Sequence, residues 1–529
     1  MSLLIQAVTA LVTAYTIYWV FRSISEYKRV HSDLGDIQSF LTLLPNESDF
    51  SNVLATNETF VLGNSQFLIK KHKIYAKSGW DVSAAVSLWP RVRATFTIAD
   101  PKLLQEIGTQ RALFPKATQK YDALNFYGPN IVSTEGEQWK LYRKVASPAF
   151  SERNNRLVWD ESVITVMSYL EEDWMWKETV ASDNFLVPCL QLGLRVISAA
   201  GFGKRLGWKK DHLVPPGHQL SFEETFQIVS KDIFIKLVVP DWIPSITEKI
   251  RKVRLAFDEL KMYMQDMINE ARVSDAAREK DDLFSNLLKA NDIAEGEEGR
   301  KLDDSELIGN TFMFLLAGHE TASHTLSFAF ALLALYQDEQ EKLYQHILSV
   351  CPKEIPTYDD APKLTRSLAV IYETLRLFPS AIVIPKETSE DTSFRLSRSD
   401  GKEVKNIALA KGTQIILHSH GVHYNPRYWK DPYDFRPERF LDPNWPRDAY
   451  IPFSVGARSC IGRRFSEIES VAILSVMIKH YRVRILDEER FKDETFEQKK
   501  ERVLNAQWGI TLTPTRVPLT FTRRVEVDL

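Results

Sequence analysis

The chain opens on an apolar run, LLIQAVTALVTAYTIYWVF, with no charge between Leu3 and Phe21. About 20 apolar residues in a helix cross the hydrocarbon core of a bilayer, so the run predicts a transmembrane helix. Tyr15, Tyr18 and Trp19 crowd its far end, where an interfacial aromatic belt lies, and Arg22, Lys28 and Arg29 follow. Positive charge on that side places the rest of the chain in the cytosol. A cleaved signal peptide fits less well, because the run has neither a basic start nor a small-residue cleavage site. Beyond the run the period changes. Residues 61–100 hold short β-like stretches, SAAVSLW and RATFTIAD, between turns. From about Pro101 to Val350 apolar residues recur at helical spacing, as in EQWKLYRKVASPAF, ESVITVMSYLEEDWMW and VRLAFDELKMYMQDMINEAR. The acidic stretch Asp292–Asp304 reads as a solvated loop. Ser305–Tyr336 is apolar on most faces, so it predicts a helix running through a large core, opened by a capping box of Asp303 and Glu306. A helix near Val370–Phe378, β-like segments from Ile382 to Leu417, a helix after Cys460 and closing strands complete the pattern. The fold class is mainly α with small β-sheets, preceded by the transmembrane helix. The predicted division is an anchor over 1–21, a junction over 22–60, one large domain over 61–515 and a tail over 516–529.

Composition narrows the function. A formal charge of −3, with 44% hydrophobic and 26% charged residues, describes a chain with a large core and no bias toward nucleic acid. No repeat or low-complexity linker divides it. Its 3 cysteines, Cys189, Cys351 and Cys460, are too scattered for a disulfide framework or a structural zinc site, which fits a reducing compartment.

Chemistry concentrates in PFSVGARSCIGRR, Pro452–Arg464. A thiolate is stabilised by backbone N–H donors and by a following helix N-terminus. Gly456 and Gly462 permit tight turns and the close approach of a planar group, and Arg458 stands two residues before Cys460. A lone cysteine is by default a buried, inert thiol; these neighbours favour instead the single protein ligand that a haem iron requires. In AGHET, Ala317–Thr321, a mid-helix threonine bonds back to the carbonyl of Ala317 and bends the helix, while Gly318 removes bulk. Glu320 and Thr321 could hold water in such a groove, and a packing notch is the plainer alternative. ETLR sets Glu373 and Arg376 on one helix face, and WKLYR does the same for Trp139 and Arg143.

Position by position, Phe453, Gly456, Arg458, Cys460 and Gly462 resemble the haem-binding signature of the cytochrome P-450 superfamily. The other motifs, in order, resemble that family from roughly residue 60 to 515, and in style its fungal members. The resemblance implies the cytochrome P-450 fold and haem b, with Cys460 as axial iron ligand. Arg458, Trp139 and Arg143 would meet the haem propionates, with Tyr121 as a further contact. Glu320 and Thr321 would relay protons to dioxygen, and His319 receives no role. Glu373, Arg376 and Arg439 of RPERF would form a buried structural triad. The resemblance also outlines a substrate pocket: Phe126, Phe312, Phe314, Leu316, Ala381, Ile382 and Trp508. Two features depart from the family pattern. The proline-rich hinge after the anchor is missing, with only Pro45 between residues 22 and 60. LFPSAIVIPKE lacks the arginine that several relatives place there for a propionate, which leaves Lys386 as an open question.

The implied activity is a monooxygenase that inserts one atom of dioxygen into a small lipophilic substrate, such as a terpenoid or other secondary metabolite. No dinucleotide-binding fingerprint in a suitable βαβ unit is present, so electrons from NADPH would come through a separate cytochrome reductase. Lys140, Lys144, Arg463 and Arg464 form its docking face or a merely solvated surface. The implied location is the endoplasmic reticulum membrane, single-pass, with the catalytic domain in the cytosol. A haem-thiolate hydroperoxide isomerase or dehydratase and a non-catalytic membrane haem sensor are the alternatives.

Overall fold

The computed structural model describes residues 2–43, 64–208, 214–239, 242, 244, 247–273, 281–298, 301–352 and 355–524. The N-terminal helix runs from Ser2 to Leu34, well past residue 21. No proline or glycine interrupts the added turns, and Arg22 supports them with a 3.0 Å bond to Glu26. The helix stops at Gly35, which takes the left-handed φ of +59° that ends helices at little steric cost. Most side chains from Leu4 to Phe21 are exposed, and the helix is long and apolar enough to cross a membrane.

The predicted junction therefore carries a helix end and a strand. Gln38–Thr42 pairs parallel with Val82–Ser87. These are the first two strands of a five-stranded sheet continued by Arg93–Ile98, Gln414–His418 and Val383–Glu387. Residues 44–60 and the start of the predicted domain at 61 lie outside the described residues. Two hairpins, Thr392–Ser397 with Val404–Leu409 and Ala506–Trp508 with Leu512–Pro514, stand apart from that sheet. A three-stranded sheet orders Thr179–Ser182, Leu519–Arg523 and Tyr481–Ile485. Its middle strand lies beyond residue 515, so the predicted tail is integral to a sheet. Phe521 is buried there against Trp174 and Phe185, with ring centroids 4.9 and 4.6 Å away.

The long helix runs Asp304–Leu335 through the centre. Its capping box is formed: Asp303 accepts from the Glu306 N–H, and Glu306 accepts from that of Asp303. It packs against helices Leu186–Val196, Thr365–Leu377 and Arg463–His480. Contact on so many sides explains why its sequence shows no single apolar stripe. The helix before it, Leu283–Glu298, covers half of the predicted solvated loop, because the run IAEGEE contains good helix formers despite its polarity.

Candidate active site

The cysteine loop is folded by its glycines. Gly456 has φ +71°, and a Cβ there would overlap the backbone of Gly108. In return, a Cβ on Gly108 would strike Val455. The two glycines thus let the loop press onto the end of helix Pro101–Thr109. The loop then turns back, with the Cys460 N–H on the Phe453 carbonyl at 2.8 Å, and enters helix Arg463–His480 through Gly462. Gly462 has φ −86°, so the turn itself does not demand a glycine there. Cys460 keeps accessible surface because it lines a slot between this loop and the long helix, while protein encloses it otherwise. Burial pushes its thiol pKa up, against the pull of the Gly462 N–H and of Arg143 and Arg463.

One end of that slot is strongly cationic. Arg458 donates to the Ile131 carbonyl at 3.0 Å and to that of Thr134, and stacks 4.2 Å over Trp139. Arg111 covers the same indole at 4.4 Å. Arg143, four residues beyond Trp139, donates to the Ser459 carbonyl at 3.0 Å. Tyr121 lines the slot with the Lys116 ammonium 3.6 Å over its ring. Lys116 forms a β-bridge with Lys386, and both lysines line the slot. Burial lowers both pKa values, that of Lys386 to about 8. Glu135 is the acid in this cluster. It meets Arg458 at 2.8 Å and accepts the Lys116 N–H at 3.0 Å. Burial would raise its pKa, but these bonds hold it below the usual value. Buried cations in such excess over acids call for an anionic ligand. Among the described residues, Arg458 Nε is buried without a hydrogen-bond acceptor.

The opposite wall is the long helix. Ala317 is exposed in mid-helix because it faces the slot. Thr321 donates to its carbonyl at 2.8 Å. A Cβ on Gly318 would come 2.9 Å from Ile197, so this glycine serves close packing behind the slot. Burial lifts the Glu320 carboxyl to about 7, against a hydrogen bond from Thr511. The Thr511 hydroxyl also lies 3.0 Å from His324 Nδ1, one turn further along the helix. His319 is buried, 2.9 Å from the Leu190 carbonyl.

The cytochrome P450 family model matches residues 57–512. The chain is a cytochrome P450. Cytochrome P450 monooxygenase 124 of Postia placenta is 46% identical over 88% of this chain and 90% of its own length. Cytochrome P450 monooxygenase ORF6 of Penicillium roqueforti is 28% identical over 78% of this chain and 77% of its own. Human cytochrome P450 3A5 is 28% identical over 65% of this chain and 67% of its own. The chain is thus an oxidoreductase of the oxygen-incorporating kind, whose family cofactor is a haem iron. The residues fit that cofactor: a thiol on one wall of the slot, and, at one end of it, cations in excess over the single acid Glu135 that could hold its carboxylates.

Elsewhere in this P450, the structure brings Glu373, Arg376 and Arg439 together. Arg376 grips Glu373 through Nε at 2.7 Å and Nη2 at 2.8 Å, and Arg439 Nε reaches the same carboxylate at 3.3 Å. Arg376 also donates to the carbonyls of His423, Pro432 and Asp434, which ties the segment before the cysteine loop to the core. Of the predicted pocket residues, Phe314 lines the slot. Phe126 and Phe312 pack edge-on at 6.0 Å, with Tyr127 4.8 Å from Phe312. Leu316 and Ile382 are core residues, while Ala381 and Trp508 are half-buried. Phe453 sits beneath Arg463 at 5.3 Å. Arg463 and Arg464 share Glu467, at 2.8 and 3.5 Å, and Lys140 pairs with Glu137.

Sequence reasoning missed Lys116, Glu135, Thr511 and His324. Glu135 stands just before the WKLYR helix as its N-cap, and that position was the available signal. Lys116 and Thr511 gain their place only through contacts distant in sequence.

Proposed function

We propose that this P450 is a membrane-bound monooxygenase that inserts one atom of dioxygen into a lipophilic substrate. The slot itself carries the reading: Cys460 forms one wall, and the long helix with Met313, Phe314 and Ala317 forms the other, with Thr321 one turn beyond, bonded to the Ala317 carbonyl. Cys460 would ligate the iron of haem b, and Arg458, Arg143, Trp139, Tyr121, Lys116 and Lys386 would surround its propionates. When bound, the haem supplies the activation of dioxygen. Thr321 and Glu320 hold and pass protons on the helix wall, with Glu320 poised near neutrality for that task. Met313, Phe314 and Ile384 supply apolar lining suited to a lipophilic substrate, such as a terpenoid or another secondary metabolite. Glu373, Arg376 and Arg439 hold the cysteine-loop region in place and take no part in the chemistry. The exposed apolar helix supports single-pass anchoring; the location we infer is the endoplasmic reticulum, with the catalytic domain in the cytosol. Electrons would come from an NADPH-cytochrome reductase on the same membrane, docking near Arg463, Arg464, Lys140 and Lys144.

The test reconstitutes the full chain with that reductase in vesicles. It supplies NADPH, isotopically labelled dioxygen and a panel of lipophilic compounds. A product carrying one labelled oxygen atom is the expected result. Conversion of hydroperoxides without NADPH would make the protein an isomerase or dehydratase. Haem binding without turnover of any compound would make it a sensor.

A further inference from the structure

The foot of the apolar N-terminal helix borders a groove of about 550 Å³. Arg29 lies on the helix, Arg91 and Arg93 at the turn into strand Arg93–Ile98, and Lys411 in the turn before Gln414–His418. All four line the groove, and Asp33 is its acidic residue. All five side chains are exposed. No ion pair is found for these four cations among the described residues. The neighbouring face of the helix foot behaves differently. There Arg398 is matched by Asp36 and Glu403 at 3.6 and 3.1 Å, and Lys405 donates to the Leu34 carbonyl at 2.6 Å. Together these four cations make a basic patch suited to an external anion.

A second observation lies beside the groove. The N–H groups of Leu88 and Trp89 bond to the carbonyls of Thr42 and Leu43, at 3.1 and 2.9 Å, which joins two chain segments into one tip. Leu41, Leu43 and Trp89 are 46%, 41% and 54% exposed on it. Tryptophan beside basic residues suits the bilayer interface, where the indole sits at headgroup level. The helix foot is docked firmly enough to fix this geometry: Leu34 and Ile37 are buried, and Trp80 Nε1 donates to Asp36 at 2.9 Å. At 1.5 Å per residue, Arg29 stands roughly 12 Å beyond Phe21 along the helix. A headgroup layer is about 5–8 Å thick on each side of the bilayer, and a long arginine stem reaches back across the remainder.

We propose that this groove binds the headgroup of an anionic phospholipid, with Arg29, Arg91, Arg93 and Lys411 on its phosphate and acidic substituent. The Leu41–Leu43–Trp89 tip enters the same leaflet. Together they fix the tilt of the catalytic domain on the bilayer. The proposal rests on the membrane-spanning reading of the apolar helix and goes beyond the oxygenase chemistry.

The test uses the full chain purified in a neutral detergent. Short-chain phosphatidylserine, short-chain phosphatidylcholine and inorganic phosphate are each titrated, and bound adducts are counted by native mass spectrometry. One phosphatidylserine should bind in preference to phosphatidylcholine. The combined variant R91Q/R93Q/K411Q, at exposed positions, should weaken it about fivefold per cation removed, roughly a hundredfold in all. Equal retention of both lipids, or no effect of the variant, would overturn the proposal. Inorganic phosphate binding as well as the lipid would make the groove a phosphate site and also overturn it. Alkaline carbonate extraction of the full chain from membranes is read separately. Release into the supernatant overturns the spanning helix, whereas the headgroup preference in detergent reports on the groove alone.

Discussion

Arg458 Nη2 lies 2.8 Å from Glu135 Oε2, and this pair joins the cysteine loop to the start of the tryptophan helix. Glu135 also receives the Lys116 N–H, so one carboxylate organises the cationic end of the slot. Glu135→Gln keeps an acceptor but removes the charge that offsets the surrounding cations. The haem-free protein should lose about 2 kcal/mol. The haem-bound form should lose less, because the propionates supply the missing negative charge. Thermal unfolding of both forms measures the difference.

Haem loading should depend on pH through Lys386. Without an anion, burial lowers its pKa to about 8. Nearby carboxylates favour the ammonium, so haem binding takes up a proton above that pH. Affinity is therefore greatest below about pH 8 and falls as pH rises beyond it. Haem titrations of the purified apoprotein at several pH values measure the slope. Lys386→Met should bind more weakly at neutral pH, with a shallower slope.

The Thr511 hydroxyl lowers the Glu320 pKa, which burial has raised to about 7. Thr511→Val keeps the shape and deletes the bond, so the Glu320 pKa should rise further. The corresponding limb of the pH–rate profile should move to higher pH, and less product should form per NADPH consumed. Thr511→Ser should restore the limb, which a purely structural role of the hairpin would not explain.

The motifs that were legible are local. Cys460 with its glycines, Trp139 with Arg143, and Glu320 with Thr321 each act within one loop or one helix turn, so spacing alone exposes them. Lys116 and Lys386 meet across a β-bridge, and Thr511 reaches Glu320 from a distant hairpin. Such contacts leave no trace in spacing. The long helix was legible from its apolarity, whereas the extent of the N-terminal helix was not. Its last turns are polar and amphipathic, and only Leu34 and Ile37 docking into the core reveals that they belong to the fold. Strand Leu519–Arg523 escaped for the same reason, since Phe521 finds its partners far back in the chain.

Arg376→Ala should break the buried group around Glu373, leaving a carboxylate without its closest cation and three carbonyls without that donor. Loss of one partner from such a site costs about 3–5 kcal/mol. Little folded, haem-retaining protein should accumulate, as read by the ratio of haem absorbance to protein. Arg376→Lys should recover only part of it, because one ammonium cannot replace the bidentate grip.

Stability should fall on the acid side. Burial holds His324, His418 and His423 neutral, with pKa values lowered from 6.5 to about 3, and His319 to about 4. Below about pH 6.5 the unfolded chain takes up protons that the folded one refuses. Their stabilisation is present above that pH and is lost progressively as pH falls toward about 3. Denaturant midpoints measured across this range should decline steadily.

Cys460 would ligate the haem iron as a thiolate. The direct measurement is the absorbance of the reduced protein with carbon monoxide, in the wild type and in Cys460→Ala. The wild type should show the red-shifted Soret band of a thiolate-ligated haem, and the variant should lose it. A folded, haem-loaded wild type without that band, or a variant that keeps it, would contradict the assignment.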